Sequence, residues 1–149
     1  MLRLSKKADY ALMAMKHLAL RESSASSSAR EIASQYDIPI ELLAKVLQRL
    51  VRRGLLLSQQ GTRGGYQLAR QPVHISVGDV IQAIDGPVRV TACSTDEGNC
   101  DQFEKCNVRD PLWKVRERIL AALGECTIAE LAADTASPEE PKAAVLHTH

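Results

Sequence analysis

Between Ser5 and Leu20 the apolar positions Ala8, Leu12, Met15 and Ala19, with Ala11 and Leu18 beside them, recur every three or four residues and trace one helix face. Ser5 is placed to cap its start. A polar run, ESSASSS from Glu22 to Ser28, separates this helix from the next. Ser28 and Glu31 have the spacing of a capping box and predict a second helix through Ile32, Ala33 and Tyr36. Asp37 and Ile38 make a tight connection, and Pro39 suits the first turn of a third helix. That helix puts Ile40, Leu43, Val46, Leu47 and Leu50 on one side, puts Glu41, Lys45, Gln48 and Arg52 on the other, and stops at Gly54. Two helices joined by a short turn, the second basic on its polar side, form a helix-turn-helix.

After Gly54 the period shortens. Leu55 to Leu57 reads as a buried strand, GTRGG from Gly61 to Gly65 as a tight turn, and Tyr66 to Ala69 as the return strand, so this hairpin is a wing. Residues 75–85 form a short amphipathic helix capped by Ser76 and ended by Gly86-Pro87. Asp110-Pro111 opens a longer helix to Leu123, closed by Gly124. Its apolar set, Leu112, Val115, Ile119, Ala122 and Leu123 with Trp113 and Leu120 on a flank, is wider than one contact surface needs. It predicts a dimerisation helix; the alternative is a helix that caps a monomeric core. TIAELAAD gives a last short helix, and the chain from Ser137 onward is expected to be loose. The expected fold is mainly α with a small β-hairpin wing. Its parts are a winged helix-turn-helix over 1–71, a linking helix and cysteine loop over 72–109, the dimerisation helix and a short helix over 110–134, and a tail over 135–149.

Composition adds that aromatic residues are only 3% of the 149, so an aliphatic core favours helices. No apolar run is long enough for a transmembrane span or a signal peptide, which predicts a cytoplasmic protein with no membrane partner. The net charge of +1 hides an asymmetry: 12 Lys and Arg stand against 5 Asp and Glu in residues 1–71, and 7 against 13 in residues 72–149. A basic first half points to a polyanion, and the predicted fold makes it double-stranded operator DNA. A helix about 10–12 Å wide fits a major groove about 12 Å wide. Glu41, Lys45, Gln48, Arg49 and Arg52 are then the candidate contacts from the third helix. Arg63, among the wing glycines, is either a minor-groove contact drawn in by concentrated negative potential or a solvated turn residue.

The remaining chemistry is in ACSTDEGNCDQFEKCNVR, Ala92 to Arg109, which has almost no apolar residue with which to offset the entropy of ordering. A metal centre held by Cys93, Cys100 and Cys106 would order it; three unrelated thiols are the alternative. The spacing lacks the paired CxxC of structural zinc sites, and thiolates also suit iron–sulfur clusters. Cys126 lies beyond a predicted helix about 21 Å long, out of reach within one subunit. No histidine is in the loop, so the fourth ligand is a non-thiolate or exchangeable group, and the lability of such a site suits a sensor. No nucleophile, histidine and acid converge in the pattern, and the expectation is that the chain is not an enzyme.

LSKKADYAL (Leu4 to Leu12), the GxxGGY wing (Gly61 to Tyr66), ISVGDVIQAIDG (Ile75 to Gly86) and the three-cysteine loop before a long helix together resemble the Rrf2 family of bacterial winged-helix regulators. The likeness runs from residue 1 to about residue 134. MLRLSKKADYAL and NVRDPLWKV are most similar to the branch that regulates the SUF iron–sulfur assembly system. The resemblance implies a homodimer with one iron–sulfur cluster per subunit on Cys93, Cys100 and Cys106, whose occupancy alters promoter affinity. Some members take a histidine three residues after the third cysteine as fourth ligand; here Arg109 stands there. Others take an acidic residue near the start of the first helix of the partner subunit, and Asp9 matches it, although a helix-end charge is an equal reading of Asp9. A 2Fe–2S cluster is favoured, with 4Fe–4S open. Members that read bases through an acidic residue at the position of Ala44 have no counterpart here, so no operator sequence carries over. The function expected is a transcription repressor of iron–sulfur assembly genes. A nitric-oxide or redox sensor of the same family is the first alternative. The second is a small iron–sulfur or zinc carrier or electron-transfer protein, against which the basic first half and the wing both speak.

Overall fold

Helix α1, Lys6–Leu20, is the centre of the fold in a computed structural model that describes residues 3–21, 25–61, 64–88 and 104–134. Ala8, Ala11 and Ala14 are wholly buried on it, and these small side chains let α3 (Ile40–Arg52), α4 (Val77–Asp85) and α6 (Ile128–Ala133) approach closely. Met15 and Leu18 complete the buried face, while Leu12 and Ala19 lie half-buried at its margins. Ser5 caps the helix by accepting from the Ala8 amide at 3.1 Å.

Helix α2, Ala29–Tyr36, begins at the predicted cap, but only half of the capping box forms. Ser28 Oγ accepts from the Glu31 amide, whereas the Glu31 carboxylate turns to Arg21 at 3.5 Å. Asp37 closes α2 in the left-handed region (φ 54°), and α3, Ile40–Arg52, follows with Pro39 as its N-cap rather than inside its first turn. Leu43, Val46, Leu47 and Leu50 are buried as expected. Ile40 is not: at the first position of the helix, next to its exposed cap Pro39, it is 43% exposed.

The wing is a two-stranded antiparallel hairpin, β1 Leu56–Gln59 with β2 Gly65–Leu68, Leu56 opposite Leu68 and Gln59 opposite Gly65. Strand alternation buries Leu56 and leaves Leu57 exposed, so Leu55 to Leu57 is not a uniformly buried strand. Ser27 and Tyr66 exchange backbone hydrogen bonds of 2.8 and 3.0 Å, which fastens the wing to the segment before α2. Gly65 permits this: a Cβ there would lie 2.6 Å from the Ser27 carbonyl oxygen.

Helix α4, Val77–Asp85, has a complete capping box between Ser76 and Asp79. Ile75, expected inside that helix, precedes it and is fully buried, its carbonyl accepting from the Ile128 amide at 2.8 Å. Helix α5 runs Arg109–Glu125, through Gly124 rather than up to it, because Cys126 closes the helix by donating to the Ala122 carbonyl. Helix α6, Ile128–Ala133, is capped by Thr127. Helix α5 buries no residue completely. Leu112, Ile119 and Leu123 are half-buried, whereas Trp113, Val115 and Leu120 face outward, which is the wide stripe that the sequence predicts. No helix among the described residues is long and apolar enough to cross a membrane. The tail from Ser137 and the loop between Arg89 and Phe103 lie outside the described residues.

Candidate functional site

Glu41, Lys45, Gln48 and Arg52 fall on one stripe of α3, at steps of four, three and four, and all are exposed, as is Arg49 beside them. The opposite stripe is locked in the core, so the polar one has a fixed direction. Arg49 differs from its neighbours in that its Nε donates to the Ala83 carbonyl at the end of α4, 2.8 Å away. One of its five donors is therefore committed to the protein, and the guanidinium is held rather than free to search. Arg63 lies outside the described residues.

A buried polar network sets α2 against α1 beneath the wing. His17 Nδ1 is 2.9 Å from the Tyr36 hydroxyl, its Nε2 is 3.3 Å from Ser27 Oγ, and Arg21 donates to the same Ser27 oxygen at 2.9 Å. A neutral ring that donates from Nδ1 and accepts at Nε2 satisfies every member. Burial, and then the nearby Arg21 charge, push the His17 pKa below its ordinary value, against a smaller opposing pull from Glu31. A histidine whose folded pKa is depressed binds fewer protons folded than unfolded. Its contribution to stability is complete above about pH 6.5, the unfolded value, and is lost as pH falls through the folded one. Urea midpoints are accordingly expected to drop on acidification from neutral pH toward 5, and to drop less in His17→Gln. Equal pH dependence in the two proteins would remove His17 from this role.

Of the three loop cysteines only Cys106 is described; Cys93 and Cys100 lie outside the described residues. Cys106 is a half-buried free thiol three residues before Arg109, the first residue of α5. The thiolate is the form of cysteine that binds metal. Cys126 is unlike it: burial and a hydrogen bond with Glu130 push its thiol pKa up, and it serves as the C-cap at the far end of α5. The 17 residues of α5 separate the two by about 26 Å at 1.5 Å per residue. The donor chemistry thus fits a soft metal centre on the loop thiols and leaves Cys126 out. Among the described residues no three His, Cys, Asp or Glu side chains converge on a metal position. Asp9 is half-buried in the first turn of α1 and makes no side-chain hydrogen bond or ion pair among the described residues.

Three long-range contacts gather at the base of the cysteine segment, and sequence reasoning found none of them. Asp85, the last residue of α4, accepts from the Ser5 amide at 3.2 Å and from the Ser5 hydroxyl. Arg49 holds Ala83, and Arg116 of α5, stacked over Trp113, donates to the Val88 carbonyl at 3.1 Å. Residues 83–88 are in this way tied to α1, α3 and α5 at once, immediately before the chain enters the loop. Lys7 was also overlooked. It shares a cleft with Lys45, Arg49 and Arg52, and the cluster of basic residues at the chain start was its only signal.

Comparison with known proteins agrees with this architecture. A family profile described as "Rrf2: Iron-dependent Transcriptional regulator" matches residues 4–134. The HTH-type transcriptional regulator IscR of Cronobacter sakazakii is 34% identical over 131 residues, covering 87% of this chain and 80% of the relative. The IscR of Serratia proteamaculans is 35% identical over the same length, covering 87% and 79%. Among solved structures, CymR, the global cysteine regulator of B. subtilis, superimposes with a TM-score of 0.73 at 27% identity, covering 91% of this chain and 100% of that one. The IscR of T. potens gives 0.71 at 27% identity, covering 95% and 93%.

Proposed function

Because the chain belongs to the Rrf2 family of transcription regulators, and is therefore a DNA-binding protein and not an enzyme, we propose that it is a homodimeric repressor of SUF iron–sulfur assembly genes. Cys93, Cys100 and Cys106 hold an iron–sulfur cluster, favoured as 2Fe–2S, and Asp9 of the partner subunit supplies the fourth ligand. The cluster contributes a redox-sensitive, labile linkage whose presence reports iron–sulfur supply. The reading as a small carrier or electron-transfer protein is set aside, because the chain belongs to a family of transcription regulators and its first half is basic.

The observation that carries this reading is the exposed stripe of α3, where Lys45, Arg49 and Arg52 stand on a helix whose other side buries Leu43, Val46, Leu47 and Leu50. Helix α3 enters the major groove, Lys45 and Arg52 neutralise phosphates or reach base edges, and Gln48 and Glu41 present hydrogen-bonding groups to the bases. The wing carries Arg63 to the neighbouring backbone or minor groove. The bare side of α5, with Trp113, Val115 and Leu120, meets its counterpart in a second subunit and sets the separation of the two reading heads.

The test is a salt titration of DNA binding. Each phosphate contact contributes about 0.9 to the slope of log K against log salt. Arg52→Ala is expected to lower the slope by about that amount and to weaken binding. Unchanged slope and affinity would contradict docking through α3.

A further inference from the structure

We propose that the cleft between the first turn of α1 and the exposed side of α3 is a phosphodiester site, in which Lys7 anchors the DNA backbone beside the groove that α3 enters. This rests on the reading that α3 docks on DNA. The cleft is about 340 Å³, and Lys7, Lys45, Arg49 and Arg52 line it above a floor that includes Val46 and Ile84. Among the described residues no acidic side chain lines it. Four cations around one concavity repel each other, and an anion seated among them relieves that repulsion while losing less to solvent screening than it would on a flat surface.

Lys7 is distinguished from its neighbour by what holds each. Lys6 lies over the Tyr10 ring, 5.3 Å from its centroid. Lys7 is exposed, borders the cleft and makes no hydrogen bond or ion pair among the described residues. Both walls of the cleft are fixed to the carboxyl end of α4. Asp85 grips Ser5, the cap of α1, and the Ala83 carbonyl grips Arg49 of α3. The spacing between Lys7 and the α3 cations is thereby preset, so a backbone held at both walls fixes the angle at which α3 enters the groove. A phosphate contact of this kind positions the protein and carries no sequence information.

The experiment compares wild type, Lys7→Ala, Lys7→Arg and Arg52→Ala on two duplexes, one selected by the protein from a random pool and one of scrambled sequence. Lys7→Ala is expected to lower the salt slope by about 0.9 on both duplexes, to weaken both by the same factor, and so to leave their affinity ratio unchanged. Lys7→Arg is expected to keep the slope. Inorganic phosphate, added at constant ionic strength, is expected to leave wild-type affinity unchanged; competition that disappears in Lys7→Ala would instead assign the cleft to a free anion. Should Arg52→Ala lose slope while Lys7→Ala does not, the phosphodiester site is overturned and docking through α3 stands. Should neither variant lose slope, both fall.

Discussion

Single replacement of Cys93, Cys100 or Cys106 by Ala is expected to abolish the visible chromophore and the bound iron and sulfide of the anaerobically purified protein, while Cys126→Ala retains all three. The asymmetry follows from position and from thiol chemistry together. Cys106 lies three residues before the start of α5, in the same segment as Cys93 and Cys100. Cys126 sits at the opposite end, with its thiol pKa raised by burial and by Glu130. With three cysteines in the segment and no histidine, no spare thiolate replaces a missing one. The loss is therefore all or none rather than graded. Full colour in Cys100→Ala would sink the ligand assignment, and loss of colour in Cys126→Ala would mean that the last cysteine had been misjudged.

The elements legible in the sequence are those whose signals are local. Ser5, Ser28 and Ser76 each cap the helix that they were expected to cap, since a side-chain oxygen and an amide three residues on are the whole of the interaction. Spacing alone identifies Leu43, Val46, Leu47 and Leu50 as the buried side of α3, though not the exposure of Ile40 at its start. What local reasoning missed was set by tertiary partners. Gly124 remains helical, and the helix ends at Cys126, whose carbonyl accepts from the Val77 amide. Glu31 leaves its capping box for Arg21, ten residues away in sequence. The grip of Asp85 on Ser5 spans 80 residues and has no sequence signature at all. The cysteine spacing points to a metal centre, but spacing within the loop carries no information on a fourth ligand from outside it.

Asp9→Ala is expected to perturb the cluster spectrum and to shrink the ratio of operator affinities between cluster-loaded and cluster-free protein toward one, with folding and dimerisation intact. A first-turn acid adds only about 0.3–1 kcal/mol through the helix dipole, too little to unfold the domain. The larger effect expected of Asp9→Ala comes from location. Asp9 is two residues from Lys7 and four from Ser5, which Asp85 ties to the segment that enters the cysteine loop. Ligation by Asp9 of the partner subunit would join α1 of one reading head to the loop of the other. Recognition helices on a two-fold site must sit about 34–36 Å apart, so such a tie controls affinity without touching DNA. Absorption and circular dichroism in the visible region, with gel shifts of both forms, check this. An unaltered spectrum together with an undiminished ratio would leave Asp9 as a helix-end charge and require another fourth ligand.

The central claim, that cluster status sets operator affinity, is tested most directly by measuring Kd for one selected duplex with wild-type protein, first cluster-loaded under anaerobic conditions and then after the cluster has been removed. Coupling between two sites in one protein is typically worth about 1–3 kcal/mol, or about 5- to 150-fold in affinity. The two Kd values are expected to differ by a factor within that range, with the dimer unchanged. Equal affinities for the loaded and cluster-free dimers would contradict that claim.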